Sequence, residues 1–190
     1  MIGSQDGVGD PEPGRPRSLG REVDLADAEV IARLVEWCRA TLADGRGRTG
    51  PLRLVREAMW FAWESPRLPR PLVSGKYPVS YPWSPNAQAA YARDGGRRPA
   101  GGFGLVIEHL YPRELLMRDL LGAEDLEPDA VVALLATRLT AAVVTKEDDG
   151  LLPARGRLND SWQSYDADPW LRYRESGMAL KAFAPVGTSA

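Results

Sequence analysis

The sequence predicts an α+β fold that is predominantly α-helical with a small β element, and three observations support this fold class. Apolar residues recur at helical spacing along most of the 190 residues. Proline, serine or threonine stands where several of these patterns begin, as is typical of helix starts. Only two short apolar runs, near 103–109 and 141–145, predict strands, and each is short enough to be helical instead.

The predicted helices follow from these start signals and from glycines beyond their ends. Asp24 or Asp27 can cap a first helix that runs to about Ala43, and a second should start at Pro51 and end before Pro66. Later helices are expected from Pro85 to about residue 93, from Arg113 to Leu121, from Pro128 onward, after Thr145, and from Trp170 to Glu175.

Length and composition predict one folded unit. A chain of 190 residues with 44% hydrophobic and 26% charged residues can bury a substantial core. We therefore expect a single globular domain over residues 21–190. Residues 1–20 contain glycine and proline at close intervals and predict a flexible N-terminal tail without packed structure of its own.

The sequence also indicates a compartment. No run approaches the roughly 20 apolar residues of a membrane helix, and the acidic N-terminus has no apolar signal core. The only cysteine, Cys38, lies in a helical pattern and cannot form an internal disulfide. We expect a cytoplasmic protein with no membrane partner.

Charge is distributed unevenly along the chain. Residues 46–98 carry 10 basic and 3 acidic side chains, whereas both flanking segments have more acids than bases. This middle segment is suited to binding the phosphates of DNA or RNA, or else pairs with the acidic flanks of the same chain. The candidate nucleic-acid-binding residues are Arg53, Arg56, Lys76, Arg93, Arg97 and Arg98.

Residues 66–83 contain five prolines, with Tyr77, Tyr81 and Trp83 between them. This composition prevents a helix and disfavours sheet pairing, so it predicts an extended loop rich in aromatic residues. Long loops often carry function, which makes this loop a candidate surface for a protein or a small ligand. Alternatively, it is a strap whose aromatic side chains fill the core.

An acid and the only histidine of the chain stand together before a proline. The segment from Gly104 to Pro112 reads GLVIEHLYP, with Glu108 and His109 at the end of its apolar run. It resembles the first motif of the HNH, or ββα-metal, nuclease family. The resemblance implies that Glu108 binds a divalent metal such as Mg or Mn and that His109 is the general base.

The same resemblance extends to residues 143–149, which correspond to the second strand and closing helix of the family. Because the chain has no second histidine, the closing metal ligand would be Asp148 or Asp149. The implied function is a degenerate, HNH-like, metal-dependent nuclease of bacterial type.

Two hypotheses therefore follow from the sequence. The first is the nucleic-acid-acting protein described above. The second is a non-catalytic interaction or ligand-binding protein that uses the loop at residues 66–83. In that case Glu108 would pair with an arginine or cap a helix, and His109 would form a hydrogen bond in the core.

Overall fold

The computed structural model describes residues 10–45, 47–93, 104–124, 126–153 and 168–187. Within these ranges, no helix is both long and apolar enough to cross a membrane. The elements in chain order are α1 (Arg21–Ala43), α2 (Thr49–Ala58), a π-helical segment (Met59–Glu64), α3 (Ser65–Arg67), β1 (Leu72–Val73), β2 (Tyr77–Pro78), α4 (Pro85–Arg93), β3 (Leu105–His109), α5 (Arg113–Gly122), α6 (Pro128–Arg138), β4 (Ala141–Thr145), α7 (Lys146–Leu151), α8 (Leu171–Glu175) and a 3₁₀ turn (Leu180–Ala182).

The predicted α+β fold class is confirmed, with helices predominating over two small antiparallel sheets. β3 and β4 form the larger sheet, in which Leu105 lies opposite Thr145 and His109 lies opposite Ala141. Both strands coincide with the apolar runs near 103–109 and 141–145. Two helices, α5 and α6, lie between them in the chain, so the strands pair across a long connection.

Local capping explains several helix boundaries. Ser84 accepts a hydrogen bond from the backbone N–H of Ala87 at the start of α4. Thr145 and Asp148 form a reciprocal capping box at the start of α7. Both contacts join residues three apart, and the sequence predicted the two helix starts, at Pro85 and after Thr145.

Two predictions about the region around residue 66 were wrong. The second helix does not end before Pro66, because α2 continues through the π-helical segment into α3, with Pro66 in the first turn of α3. Residues 66–83 also contain a β-hairpin of β1 and β2. Its strands are only two residues long, so one proline in them removes little pairing, and Ser74 and Gly75 adopt the positive φ that the turn needs.

The aromatic side chains of this loop fill the core. Tyr81 is 1% exposed and Trp83 is fully buried. The indole N–H of Trp83 donates to the carbonyl of Pro78 at 2.9 Å. The loop therefore behaves as the strap that was the alternative interpretation.

β4 lies at the centre of the molecule with both faces buried. Ala141 and Val143 pack into a core with Tyr81, Trp83 and Ile107. Ala142 and Val144 face a second core, which contains Leu110, Trp170, Tyr173 and Phe183. A third core lies among α1, α2, α5 and α6.

Residues 10–20 of the predicted flexible tail contact the folded unit, while residues 1–9 lie outside the described residues. Gly14 and Ala141 exchange backbone hydrogen bonds of 2.9 and 2.8 Å, and the indole of Trp170 donates to the carbonyl of Pro11 at 2.9 Å. The contacts of Gly14 supply partners for peptide groups at the second edge of the buried strand β4.

The close approach of Gly14 to Tyr81 gives a stability prediction. A Cβ atom at Gly14 would overlap the ring of Tyr81, so Gly14→Ala must displace the strap or the ring. We expect an overpacking penalty of about 1–3 kcal/mol and a melting temperature roughly 2–12 °C lower.

Gly150→Ala is the matched control for this measurement, since nothing lies within 4 Å of its Cβ position and the residue is helical. Thermal unfolding followed by circular dichroism should show it equal to or slightly above the native chain. Equal melting temperatures for both variants would contradict the packing of Gly14 on Tyr81.

Candidate functional site

A cleft of about 790 Å³ opens between α2, the turn between β1 and β2, the outer edge of β3, and α5. This volume is within the range of small-molecule and cofactor sites. Four basic side chains line the cleft, namely those of Arg48, Arg56, Lys76 and Arg113. Two carboxylates, Glu57 and Glu114, also line it, so the wall has an excess of positive charge.

The helical spacing of α2 places its polar groups on the cleft. Thr49, Leu52 and Arg56 are three to four residues apart and share one face of the helix. Val55 and Met59 point the other way into the core. The next segment is π-helical, and it directs Trp60 to the cleft while Glu64 is buried at 1% exposure. Such π-helical turns are frequent at functional sites.

Trp60 is the aromatic centre of the cleft. Nζ of Lys76 lies 5.8 Å from its ring centroid, and Cζ of Arg113 lies 5.6 Å from it. Both distances are within the range of cation–π attraction. Among the described residues, no carboxylate lies within ion-pair distance of Arg48 or Arg56. These two guanidinium groups are therefore available to an anionic ligand.

Two buried polar side chains below the cleft, Glu64 and His109, hold Arg113 in place. Oε2 of Glu64 accepts a hydrogen bond of 2.6 Å from Arg113, and its Oε1 lies 2.8 Å from Nε2 of His109. Burial tends to raise the pKa of Glu64, but the interactions with His109 and Arg113 are stronger and lower it. Glu64 thus stays ionised and holds Arg113, whose side chain remains 31% exposed towards the cleft.

Tyr81 completes this buried group. Its side chain is 1% exposed, and its hydroxyl has no hydrogen-bond partner in the described part of the chain. Burial, and then the negative charge of Glu64, raise the pKa of Tyr81. Nε of Arg113 is likewise buried without a partner among these residues. Below the cleft, the Tyr81 hydroxyl and Nε of Arg113 are therefore hydrogen-bond donors without acceptors among the described residues.

Glu108 and His109, the predicted catalytic residues, point to opposite faces of the sheet because successive strand residues alternate. Glu108 lies 2.6 Å from Nη1 of Arg172 in the core that contains Tyr173. His109 faces Glu64 instead. The two contacts match the alternative in which the carboxylate pairs with an arginine and the imidazole is bound in the core.

Asp148 and Asp149, the predicted metal ligands, lie beyond the other end of the sheet from His109. Four register positions separate the Leu105–Thr145 pair from the His109–Ala141 pair, which corresponds to about 13 Å along a strand. Asp149 is half-buried. Burial raises the pKa of Tyr173, and the charges of Glu108 and Asp149 raise it further.

The Asp148 carboxylate is occupied by internal hydrogen bonds. Its oxygens accept from Ser84 at 2.6 Å, from Asn86 at 2.7 Å and from the N–H of Thr145 at 3.1 Å. Burial tends to raise the pKa of Asp148, but these hydrogen bonds lower it overall. Within the described ranges, no three His, Cys, Asp or Glu side chains are grouped to hold a metal ion.

The predicted nucleic-acid-binding residues are only partly brought together. Arg56 and Lys76 line the cleft, whereas Arg53 lies 3.9 Å from Glu57 on the exposed side of α2. Arg93 is exposed at the end of α4, and Arg97 and Arg98 lie outside the described residues.

Internal pairing, the alternative for the basic segment, also occurs. Arg67 is 1% exposed and lies 2.6 Å from Asp24 and 2.9 Å from Asp27. The basic residues of this region thus divide between the cleft and the core.

Arg113 and Glu64 were not identified from the sequence, although each carries a signal. Arg113 is a basic residue in the first turn of α5, where the helix dipole disfavours positive charge. Glu64 ends the apolar segment Met59–Glu64, where an acid must be paired if it is buried.

The depressed pKa of Glu64 gives a prediction about acid stability. Glu64→Gln should lower the free energy of unfolding near neutral pH by about 3 kcal/mol, because it breaks a buried charge pair. A carboxylate whose pKa is lowered by folding stabilises above its unfolded pKa and loses that contribution as the pH falls. The difference between native chain and variant should therefore shrink below about pH 4.5.

Urea unfolding at several pH values measures this difference. Glu114→Gln is the control, since Glu114 is exposed on α5 and the same substitution there should change stability by less than about 0.5 kcal/mol. A difference between the native chain and Glu64→Gln that stayed constant or grew towards low pH would disprove the role of the charged pair.

Comparison of the chain with family models, with curated proteins and with solved structures gave no match. The functional assignment therefore depends on the geometry of the cleft and of the buried group below it.

Proposed function

We propose that the cleft binds single-stranded nucleic acid. The observation that carries this proposal is the presence of four basic side chains and the Trp60 indole in one cleft. Proteins that bind single strands combine these two features, because the cations contact phosphates and an aromatic ring stacks on a base. The cations belong to α2, its preceding residue Arg48, the turn between β1 and β2, and α5.

The placement of the cations supports a backbone-binding role. Arg48 and Arg56 are exposed and contact no carboxylate within the described residues, so binding a phosphate breaks no ion pair. Arg113 is oriented by Glu64, which reduces the side-chain entropy lost when its guanidinium contacts a ligand. These phosphate contacts carry affinity and salt dependence without sequence specificity.

A single strand suits the cleft better than a duplex. Trp60 is half-buried within a concave surface, so only a base that has left its stack can reach the ring. The proposal concerns binding and assigns no bond cleavage. Metal-dependent cleavage through Glu108 and His109 stays a prediction from the resemblance, since both side chains have internal partners.

Loss of one cleft cation should weaken nucleic-acid binding in a salt-dependent way. For a labelled oligothymidylate of about 12 nucleotides, Arg56→Glu should lower the affinity about tenfold at low salt. With four phosphate contacts, the slope of log K against log salt should be about −3, and it should decrease in magnitude by about 0.7 in the variant.

Fluorescence anisotropy at several salt concentrations measures both values. Arg33→Glu is the matched control, because Arg33 is an exposed arginine of α1 that does not line the cleft. The proposal fails if the native chain does not bind DNA or RNA oligonucleotides at low salt, or if both variants lose the same affinity.

Trp60 should contribute by stacking. Trp60→Leu keeps an apolar side chain but removes the aromatic face, so we expect roughly 5- to 100-fold weaker binding with little change in the salt slope. Trp37→Leu is the control, since Trp37 is 48% exposed on α1 and does not line the cleft. Anisotropy with the same oligonucleotide separates them, and equal affinities would refute a stacking role for Trp60.

A further inference from the structure

A second cavity, of about 630 Å³, adjoins the basic cleft. Four residues, Arg48, Leu52, Glu114 and Met117, line both spaces. The second cavity lies between the end of α1, the start of α2 and one side of α5. It is therefore a separate chamber that shares one wall with the cleft.

The walls of this cavity are apolar over most of their surface. Leu42, Leu115 and Leu121 line it together with the shared Leu52 and Met117. These side chains belong to the core among α1, α2, α5 and α6, or pack against that core. Binding of an aliphatic chain in such a cavity is favourable because it removes apolar surface from water.

Arg39 also lines the cavity but has few donors left for a ligand. Its Nε donates to the carbonyl of Leu121 at 2.9 Å, and one Nη donates to the carbonyls of Leu120 and Ala123. The guanidinium therefore caps the carbonyl groups at the C-terminal end of α5. The leucine side chains of the walls offer a polar ligand nothing to replace its hydrogen bonds with water.

Charged residues also line the cavity, namely Arg48, Arg118 and Glu114 in addition to Arg39. Arg48 is exposed and has no carboxylate within ion-pair distance in the described part of the chain. An anionic group can reach Arg48 while an attached chain lies among the leucines. The excess of arginine over carboxylate in the lining, together with the apolar walls, favours an amphipathic anion.

We propose that this cavity binds a medium-chain aliphatic carboxylate, with the chain against Leu42, Leu115 and Leu121 and the carboxylate on Arg48. This site needs no nucleic acid and does not depend on the proposed function. Because Arg48 also lines the cleft, the ligand and a phosphate would compete for one guanidinium. That competition rests on the proposed function, and it makes the two ligands antagonists to the same degree in both directions.

Isothermal titration calorimetry with laurate below its micellar concentration tests the site on the full chain. We expect saturable binding of laurate, at least tenfold weaker binding in Arg48→Gln, and no measurable binding in Leu42→Phe, which fills the chamber. Leu121→Phe is a second filling variant, to be used if thermal unfolding shows that Leu42→Phe is poorly folded. Arg33 lies on α1 and lines neither space, so Arg33→Glu should bind laurate as the native chain does.

Dodecanol tests the role of the carboxylate, since it has the same chain without the charge. Equal affinity for dodecanol and laurate, or unchanged laurate binding in both filling variants, overturns the proposal, as does a native chain that does not bind laurate. Adding laurate to the oligonucleotide complex should lower the affinity for the oligonucleotide. Laurate binding to a chain that does not bind oligonucleotides would reject the proposed function alone.

Discussion

The structure depends on satisfying the backbone of one buried strand, β4. Its peptide groups alternate between two edges, and burial on both faces removes water as a partner. β3 covers one edge. At the other edge Gly14 pairs with Ala141, Pro82 and Ser84 pair with Val143, and the Asp148 side chain accepts from Thr145. Three distant segments of the chain, around Gly14, around Trp83 and in β3, are therefore held against the five residues of β4.

This arrangement also determines where the cleft lies. Since β4 is enclosed, β3 is left with an outer edge, and Ile107 on that edge forms one wall of the cleft. The carbonyl of Leu105 on the same edge accepts from Tyr77 at 2.8 Å, which fixes the hairpin of β1 and β2 beside it. The hairpin in turn places Lys76 beside the cleft. The cleft therefore lies at the outer edge of β3, which the fold leaves uncovered.

The predictable features are those encoded by near neighbours. The helix starts at Pro85 and after Thr145 and the two apolar strands follow from residues a few positions apart, and the fold class follows from them. The contacts Glu64–His109 and Glu108–Arg172 span 45 and 64 residues. No local pattern specifies such a partner, so the sequence indicated that Glu108 and His109 matter without showing that they belong to different cores. The cleft could be predicted only as a basic composition, because burial removes Arg67 from it and Arg113 joins it from a distant helix.

The opposite orientation of Glu108 and His109 has a consequence for strand pairing. Both neighbours are polar and each meets one partner, Arg172 or Glu64, on its own side of the sheet. A slip of β3 by one residue would exchange the faces, placing a carboxylate beside Glu64 and an imidazole beside Arg172. Uniformly apolar strands such as LVI against AVV would tolerate that slip. The two buried polar pairs therefore specify the register of β3 against β4. An insertion or deletion within β3 would separate both pairs and leave buried charges unpaired in both cores.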